Sequence, residues 1–237
     1  MCVGVYERMK PKGHGMKVLS VVSQKGGVGK TTLATALAVE ASREGKQIVM
    51  FDLDPQASAS FWKDTRKDES LAITAIPAAR LTHMLTAVRE AGCDLAIIDT
   101  PPFSKDIAYE AAQHADFVLV PTRPAVLDVM AMTRTLDLVK HYGRPYGVVL
   151  TFCPPQGREI EDTVRVISQL GADLCPVRVG SRIAYSRAQQ TGHAAQEIEP
   201  DGKAAQEIKQ LYAYVCMNLN AYERSSENHE QRAASSA

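Results

Sequence analysis

Short apolar runs alternate with amphipathic runs along most of this chain, and that alternation limits its possible folds more than any other feature. Each apolar run is continuous and rich in β-branched residues, which is typical of strands buried on both faces of a sheet. These runs cover residues 18–22, 48–51, 95–98, 117–120 and 148–150, with weaker ones at 72–76 and 175–179. Apolar residues with helical spacing occur between them, at 31–44, 81–91, 127–141, 160–170 and 204–218.

This alternation predicts an α/β fold, because parallel strands need a crossover connection and a helix usually supplies it. Right-handed crossovers then give a doubly wound, mostly parallel sheet with helices on both faces. Such sheets bind their ligands at the carboxyl ends of the strands. Polar residues follow three of the predicted strands here, which places a candidate site at that edge of the sheet.

A glycine-rich loop follows the first predicted strand and leads directly into the first predicted helix. It reads Ser-Gln-Lys-Gly-Gly-Val-Gly-Lys-Thr-Thr over residues 23–32. Glycines let backbone amides converge on phosphate oxygens, and the amino end of the helix adds unpaired N–H groups and a positive dipole end. We expect Lys30 to reach the β- and γ-phosphates and the Thr31 hydroxyl to bind Mg²⁺. The pattern therefore predicts a P-loop nucleotide-binding protein.

Two positions of this loop depart from the ordinary Walker A pattern. Gln24 stands where that pattern has its first glycine, and Lys25 adds a second lysine. In this respect the loop resembles the deviant Walker A motif of the ParA/MinD family of P-loop ATPases. The resemblance implies slow hydrolysis of ATP with Mg²⁺, and a nucleotide-dependent homodimer in which Lys25 neutralises charge on the partner subunit's phosphates. It also implies that the nucleotide is held by Lys25, Gly26, Gly27, Val28, Gly29, Lys30, Thr31 and Thr32.

Acidic residues end two of the predicted strands. Residues 52–56 read Asp-Leu-Asp-Pro-Gln, and the two carboxylates point to the same side of an extended chain. This stretch resembles switch I of the family, which implies that Asp54 acts in catalysis beside Lys25 and Lys30 by polarising water, and that Asp52 supports Mg²⁺. An Asp-Pro pair also favours a turn, and both interpretations can hold. Asp99 ends another strand as a Walker B aspartate does, so we expect it to bind Mg²⁺ through water.

The resemblance extends from Met16 to about residue 220, which predicts one ATPase domain over 16–220. We expect a flexible N-terminal extension over 1–15 and a disordered tail over 221–237, because the tail is rich in Ser, Glu, Ala and Asn. With so few residues before the first strand, the chain resembles the short ParA class without a helix-turn-helix domain. The family often has Asn after the sixth strand, in contact with adenine. Here Thr-Phe-Cys-Pro occupies 151–154, and the adenine contacts stay open.

Composition narrows the classes of protein further. Lys plus Arg and Asp plus Glu are 27 each among 237 residues, so no overall basic charge favours nucleic-acid binding, although a local basic face is compatible with these numbers. The five cysteines lack zinc spacing and suit reduced thiols in a cytosolic protein. We expect neither a signal peptide nor a membrane-spanning segment, and we expect a cytoplasmic, nucleoid-associated location.

Three roles remain open for such an ATPase. In plasmid or chromosome partition, the ATP-bound dimer binds DNA nonspecifically, and a ParB-like partner protein stimulates hydrolysis and release; a protein cargo is an alternative to the replicon. Resemblance implies that basic residues of the C-terminal half contact DNA phosphates, and the candidates are Arg158, Arg165, Arg182, Arg187 and Lys203. A MinD-like membrane role is disfavoured, because the residues after 220 are acidic and carry few large apolar groups. The third role is that of a metabolic P-loop enzyme or a nitrogenase iron-protein relative, although Cys93 and Cys153 are poorly spaced for the latter.

Two pairs of apolar residues lie close to these motifs. Phe61 and Trp62 follow the switch I stretch, and we expect them to pack a helix rather than to face a partner. Met130 and Met132 lie in a predicted helix, where we expect them to contribute to the core or to a dimer interface.

Overall fold

The structure, a computed structural model, describes residues 15–67 and 69–234, along which strands and helices alternate. The strands are β1 (Lys17–Val21), β2 (Ile48–Asp52), β3 (Ala72–Ala75), β4 (Leu95–Asp99), β5 (Phe117–Thr122), β6 (Tyr146–Cys153) and β7 (Leu174–Gly180). The helices are α1 (Lys30–Arg43), α2 (Ser58–Arg66), α3 (Leu81–Glu90), α4 (Lys105–His114), α5 (Val126–His141), α6 (Glu159–Gln169), α7 (Ile183–Gln190), α8 (Ala195–Ile198) and α9 (Lys203–Ala234). A short 3-10 helix, Ala78–Arg80, precedes α3.

The seven strands form one parallel sheet in the order β3-β2-β4-β1-β5-β6-β7. The chain winds outwards from β1 in both directions, because β2 and β3 lie on one side of it and β5 to β7 on the other. That reversal opens a crevice at the carboxyl end of β1, where sheets of this kind bind ligands. The predicted doubly wound α/β fold is confirmed.

The helices cover both faces of the sheet and enclose two apolar cores. In β1 and the residue that follows it, the side chains alternate between them: Leu19 and Val21 belong to the core under α1 and α9, whereas Val18 and Val22 belong to the core under α3 to α6. Alternation of this kind follows from the two-residue period of a strand. Because both faces are covered, both sets are apolar, and the strand therefore reads as one continuous apolar run.

Each strand and helix predicted from the sequence overlaps an observed one, but α2, α4, α7 and α8 were not predicted. Helix α4 shows why, because its buried residues are Ala108, Ala111 and Ala112. A helix that packs closely through alanines lacks the large apolar residues on which pattern reading depends.

The two apolar pairs near the motifs each divide between core and surface. Trp62 is buried with 4% of its surface exposed, as predicted for packing, but Phe61 is 73% exposed, so its predicted packing is wrong. In α5, Met132 is buried in the core under α3 to α6, whereas Met130 is 60% exposed. Neighbouring residues on a helix are turned by about 100° from each other, so only one side of α2 faces the core.

The predictions for the two ends of the chain have different outcomes. The predicted flexible extension lies outside the described residues, apart from Gly15. Helix α9 runs to Ala234, so the backbone is helical over most of 221–237, where we expected a disordered tail. Adding residues to an existing helix avoids the cost of nucleation, and Ala, Glu and Arg are good helix formers. A polar composition therefore did not end α9 at residue 220. The domain limits at 16 and 220 stay predictions. No helix within 15–67 and 69–234 is both long and apolar enough to cross a bilayer.

Candidate active site

The glycine-rich loop connects β1 to α1 at the centre of the crevice. Gly27 and Gly29 have φ values of 71° and 87°, in the left-handed region that favours glycine. Gly29 is also the residue that caps the amino end of α1. Contacts from neighbouring strands and loops fix the rest of the loop, since the Thr151 hydroxyl donates to the Val28 carbonyl at 2.9 Å. The loop is therefore held open with amide groups at a helix amino end, as phosphate binding needs.

Lys30 lies inside this loop and is only 7% exposed. Its Nζ donates to the carbonyl oxygen of Lys25 at 3.1 Å, which holds the ammonium group within the arc of the loop. Burial lowers the pKa of Lys30, and the nearby charges of Asp99 and Asp54 oppose that effect. A buried cation surrounded by backbone amides is suited to bind the phosphates of a nucleotide.

Asp99 and Thr31 form a pair beside Lys30. The Thr31 hydroxyl donates to Asp99 Oδ2 at 2.6 Å, and Asp99 is fully buried. Burial raises the pKa of Asp99 to about 7, although the hydrogen bond from Thr31 acts against that rise. Oδ1 of Asp99 is buried and has no hydrogen-bond partner among the described residues. An unpartnered carboxylate oxygen beside a hydroxyl matches the hard oxygen ligands that Mg²⁺ takes in P-loop sites, so the residues present fit this ion.

Asp52 ends β2 directly opposite Asp99 on β4. Its Oδ1 accepts the amide of Asp54 at 3.0 Å, and its Oδ2 accepts the amide of Ala59 at 2.9 Å. Burial raises the pKa of Asp52, and these amide hydrogen bonds counteract the rise. In the structure Asp52 thus organises the loop between β2 and α2; its role in the Mg²⁺ site stays a prediction.

Asp54 is half-buried and lines the same cavity as Lys30. Its Oδ1 accepts the amide of Gln56 at 2.9 Å, which orients the carboxylate within a tight turn. The turn that we expected from the Asp-Pro pair is therefore present together with a carboxylate at the cavity. This placement is compatible with activation of water, and that role stays a prediction.

Lys25 differs from Lys30 in where its side chain lies. It is not among the described residues that line the phosphate cavity, and its Nζ is 3.6 Å from Asp128 Oδ1. Asp128, in the first turn of α5, is 2% exposed and also pairs with Arg123. Two cations thus share one buried carboxylate outside the lining of the phosphate cavity.

Comparison with known proteins places this arrangement in a family. The model of the CobQ/CobB/MinD/ParA nucleotide binding domain matches residues 19–194. The chain belongs to the CobQ/CobB/MinD/ParA family. At the level of this family, three predictions are confirmed: the P-loop fold, the ATPase class, and ATP with Mg²⁺ as the bound cofactors.

Relatives within the family span several cellular roles. Maintenance of carboxysome distribution protein A of Gloeobacter kilaueensis is 31% identical over 218 residues, which are 90% of this chain and 98% of the relative. Protein ParA of Rhizobium radiobacter is 28% identical over 84% of this chain and 95% of its own length. Among solved structures, a Cyanothece McdA–ATP complex has a TM-score of 0.72 at 18% identity, covering 88% of this chain and 98% of its own. MinD of Pyrococcus horikoshii with Mg-ADP has a TM-score of 0.70 at 19% identity, covering 84% and 96%.

A second cavity, of about 400 Å³, adjoins the phosphate cavity on the side of β6 and β7. Gln189 and Phe152 line both cavities, and Gln189 Nε2 donates to Thr32 Oγ1 at 2.7 Å. Sequence reasoning missed Gln189, because α7 lies far along the chain from the loop and no local motif marks it. Phe152 lies in the stretch 151–154, which we had singled out only as a departure from the family.

The five candidate DNA contacts fall on opposite faces of the sheet. Arg158 precedes α6 and Arg165 lies on it, and α6 packs against one core. The other three candidates lie at α7 or at the start of α9, which pack against the other core. Arg165 is 3.3 Å from Asp162, and Arg182 is held by Glu207, with Nε 2.9 Å from Oε1. The structure therefore separates these residues into two groups and brings no single patch of five together.

The separate groups differ in their acidic neighbours. The first turn of α6 carries three acids, whereas α7 carries none between Ile183 and Gln190. Arg187 is exposed on α7, and Lys203 is exposed at the start of α9, where it shares a shallow cavity with Arg182. The face formed by α7 and the start of α9, which we call the α7 face, has no acid within α7, but Glu199 lines the shallow cavity and Glu207 lies in α9. The predicted role of these residues in DNA binding is neither supported nor contradicted by their placement alone.

Proposed function

We propose that this chain is a positioning ATPase: ATP joins two copies into a dimer that binds DNA nonspecifically, and a partner protein stimulates hydrolysis and release. The observation that supports it best is the side chain of Lys25, which lies beside its own phosphate cavity rather than in it. A lysine that serves only its own subunit's phosphates would be expected where Lys30 is. A cation beside the cavity is instead available to phosphates on a facing subunit.

The surface next to Lys25 supports a face-to-face dimer. Val126, Leu127 and Met130, on the first turns of α5, are 78%, 70% and 60% exposed. They flank Asp128, the residue that holds Lys25. A cluster of large exposed apolar side chains beside a ligand site is a common mark of a protein interface. Association over this surface would bring Lys25 of each copy towards the other copy's site.

Within one subunit the site residues have different roles towards the nucleotide. Lys30 and the loop amides bind and orient the phosphates, while Asp54 orients a water at the open side of the cavity. Thr31 and Asp99 would hold Mg²⁺, which neutralises phosphate charge when it is bound. Asp52 keeps the Asp54 turn in place through its amide contacts. The switch consists of this turn and α2, which respond to the contents of the cavity.

For DNA we propose the α7 face rather than α6. Arg187 is exposed on α7, a helix without acids, whereas the three acids in the first turn of α6 offset Arg158 and Arg165. Lys203 is exposed at the start of α9, with Glu199 lining the same shallow cavity. Phosphate contacts depend on local positive charge, and a neutral chain overall is compatible with one basic face. The proposed location on the nucleoid follows from such binding.

The cargo is either a replicon or a protein assembly. Relatives named for carboxysome distribution and for ParA align over most of this chain, so both kinds of cargo fit the same ATPase. A ParB-like or equivalent partner would supply the stimulus for hydrolysis in either case. A metabolic P-loop enzyme is the second candidate, and it would not need a second lysine, Lys25, beside the phosphate cavity.

The first experiment measures size by light scattering on Asp54→Ala with ADP or ATP, with and without duplex DNA of unrelated sequence. We expect the mass to double with ATP only, and the dimer to bind DNA. A constant mass with both nucleotides, together with no DNA binding, would contradict the proposal and favour the metabolic enzyme.

A second pair of variants tests Lys25 itself. Lys25→Ala in the Asp54→Ala background should bind ATP but stay monomeric, because the cation across the interface is gone. Lys140→Ala, an exposed lysine at the last turn of α5, is the matched control and should dimerise normally. If Lys25→Ala dimerises as well as this control does, the assignment of Lys25 to the interface is wrong.

Charge reversal tests the DNA face. Arg187→Glu should weaken DNA binding, and it should flatten the log–log salt dependence by about one unit of slope for each DNA phosphate that the protein no longer neutralises. Arg165→Glu is the control on the other face and should leave both quantities unchanged. Equal effects of the two variants would refute the choice of the α7 face, although dimerisation would stand.

A further inference from the structure

The cavity beside the phosphate loop has the size and the position to hold the rest of a nucleotide. Its volume of about 400 Å³ lies within the range of small-ligand sites. It meets the phosphate cavity at Gly29 and Thr32, so a ligand whose phosphates lie on the loop extends directly into it. Leu33, Val179 and Ile183 give it apolar walls.

Phe152 stands at the junction of the two cavities. Its φ is 51°, a left-handed conformation that aromatic residues rarely adopt, and the residue is 44% exposed. Its ring lies about 3.3 Å from where a Cβ on Gly29 would be, so Gly29 leaves room for it. Unusual backbone conformations of this kind concentrate at ligand sites. The conformation keeps a flat apolar ring at the entrance to the cavity instead of in a core.

Several of the hydrogen-bond donors that line the cavity are already engaged within the chain. Thr151 donates to Val28, the Arg182 guanidinium to Glu207, and Ser186 to the Ile183 carbonyl at 3.0 Å. Two backbone amides of the same wall are engaged as well: the Gly180 amide donates to Glu207 at 3.2 Å and the Ser181 amide to the Cys153 carbonyl at 2.9 Å. These donors are committed within the chain, whereas the aromatic ring and the apolar walls are available to a base.

We propose that Phe152 stacks on the purine base of the bound nucleotide, and that stacking and burial, rather than hydrogen bonds to the base edge, hold the base. The site then takes guanine nucleotides as well as adenine nucleotides. Adenine and guanine differ at the base edge, where a pocket discriminates strongly only if it commits donors and acceptors to that edge. Both bases present an equivalent flat face to an aromatic ring. This inference rests on the proposed nucleotide switch and specifies its substrate class.

Calorimetric titration in Mg²⁺ with ADP, GDP and inorganic pyrophosphate tests the proposal. Diphosphates lack the γ-phosphate on which the proposed dimer depends, so binding is measured on one subunit. We expect wild-type protein to bind GDP within about 100-fold of ADP, the range of a pocket without polar readout. Phe152→Ala should weaken ADP and GDP alike by about tenfold or more, and leave pyrophosphate unchanged.

Two further variants of Phe152 and one control separate stacking from structure. Phe152→Tyr keeps the ring and should bind like wild type. Phe152→Gly suits the left-handed backbone and should lose the same affinity as Phe152→Ala, which excludes backbone strain as the cause. Phe103→Ala is the matched control, because Phe103 also has a left-handed φ, of 59°, and is 77% exposed, but does not line this cavity. Because the ring of Phe103 lies near Gly26 of the phosphate loop, any change in affinity should be the same for ADP, GDP and pyrophosphate, whereas Phe152→Ala should spare pyrophosphate.

The results that would overturn the proposal are distinct from failure of the proposed function. A preference for ADP over GDP beyond about 100-fold would show that the base edge is read by hydrogen bonds. Unchanged ADP affinity in Phe152→Ala would show that the ring does not contact the base. Either result leaves the ATP switch intact, whereas wild-type protein that binds none of the three probes overturns the switch and this inference together.

Discussion

Arg66 and Glu197 form a charged latch between the switch helix α2 and helix α8. The guanidinium Nη1 is 2.7 Å from Oε2 and Nη2 is 2.6 Å from Oε1, so two hydrogen bonds run side by side. The side chains are only 8% and 14% exposed. Beside them, the indole of Trp62 donates to the His193 carbonyl at 3.1 Å, and Gly192 approaches the backbone of Arg66 closely. The latch therefore fastens the helix that follows Asp54 to the segment that follows α7.

Removing one partner of this latch should cost much more stability than breaking a surface ion pair. Arg66→Met keeps the aliphatic stem against Trp62 but leaves the Glu197 carboxylate without its cation. Truncating one partner of a buried, hydrogen-bonded pair typically costs about 3 kcal/mol. For a chain of this length that corresponds to roughly 6–12 °C in melting temperature. The exposed Arg165–Asp162 pair should contribute at most about 0.5 kcal/mol.

The same latch predicts how stability depends on pH. Burial by itself raises the pKa of Glu197, but hydrogen bonds from Arg66 and the Ala194 amide outweigh it, so the pKa is lowered on folding. A lowered folded-state pKa means that the contribution is complete above the unfolded-state value of about 4.3 and is lost as pH falls through the folded-state pKa. The stability difference between wild type and Glu197→Gln should therefore be constant near pH 7 and shrink below about pH 4.

Urea unfolding gives the measurement, because Trp62 is the single tryptophan of the chain and lies in the latch itself. A double-mutant cycle with Arg66→Met and Glu197→Gln yields the coupling energy, and the same cycle on Arg165 and Asp162 gives the surface reference. Circular dichroism on the same samples shows whether the loss is global. If the two coupling energies agree within error, the latch does not hold α2 and the reasoning fails.

Four further predictions concern the phosphate loop, the turn at Asp54, the close contact at Gly192 and the thiols. Lys30→Ala should abolish nucleotide binding in calorimetry, because no other buried cation of the described residues lies in the loop; retained binding would contradict its assignment. Asp54→Ala should bind ATP yet hydrolyse it at least about 100-fold more slowly, and a normal rate in a phosphate-release assay would exclude Asp54 as the activating group. Gly192→Ala should lower the melting temperature, since its Cβ would lie 2.2 Å from the Arg66 amide nitrogen; an unchanged melting curve would contradict this. In alkylation followed by peptide mass spectrometry at pH 8, half-exposed Cys216 should react before Cys93, whose pKa burial raises to about 12, and the reverse order would be inconsistent with the fold.

Several parts of the site were predictable because each depends on residues close together in sequence. The loop from Ser23 to Thr32 carries its own glycines, lysine and helix start, so its role was predictable from local preferences, although the distant Thr151 helps to hold it in place. Asp99 was predictable for a similar reason, since a carboxylate at the end of an apolar strand must lie at the carboxyl edge of a parallel sheet. Asp52 was harder, because its amide partners at residues 59 and 60 belong to α2, a helix without a clear apolar pattern.

By itself, the sequence determined the strand–helix alternation, and with it the doubly wound sheet, the phosphate loop and the family. These depend on period, spacing and residue type, all of which are local. Only the tertiary structure decided that Lys25 turns to Asp128, that Gln189 reaches Thr32, and that Phe152 stands between two cavities. Such contacts join residues that are distant along the chain, and packing of helices on the two faces brings them together. No local pattern encodes that packing, because it is the sum of many weak contacts over the whole sheet.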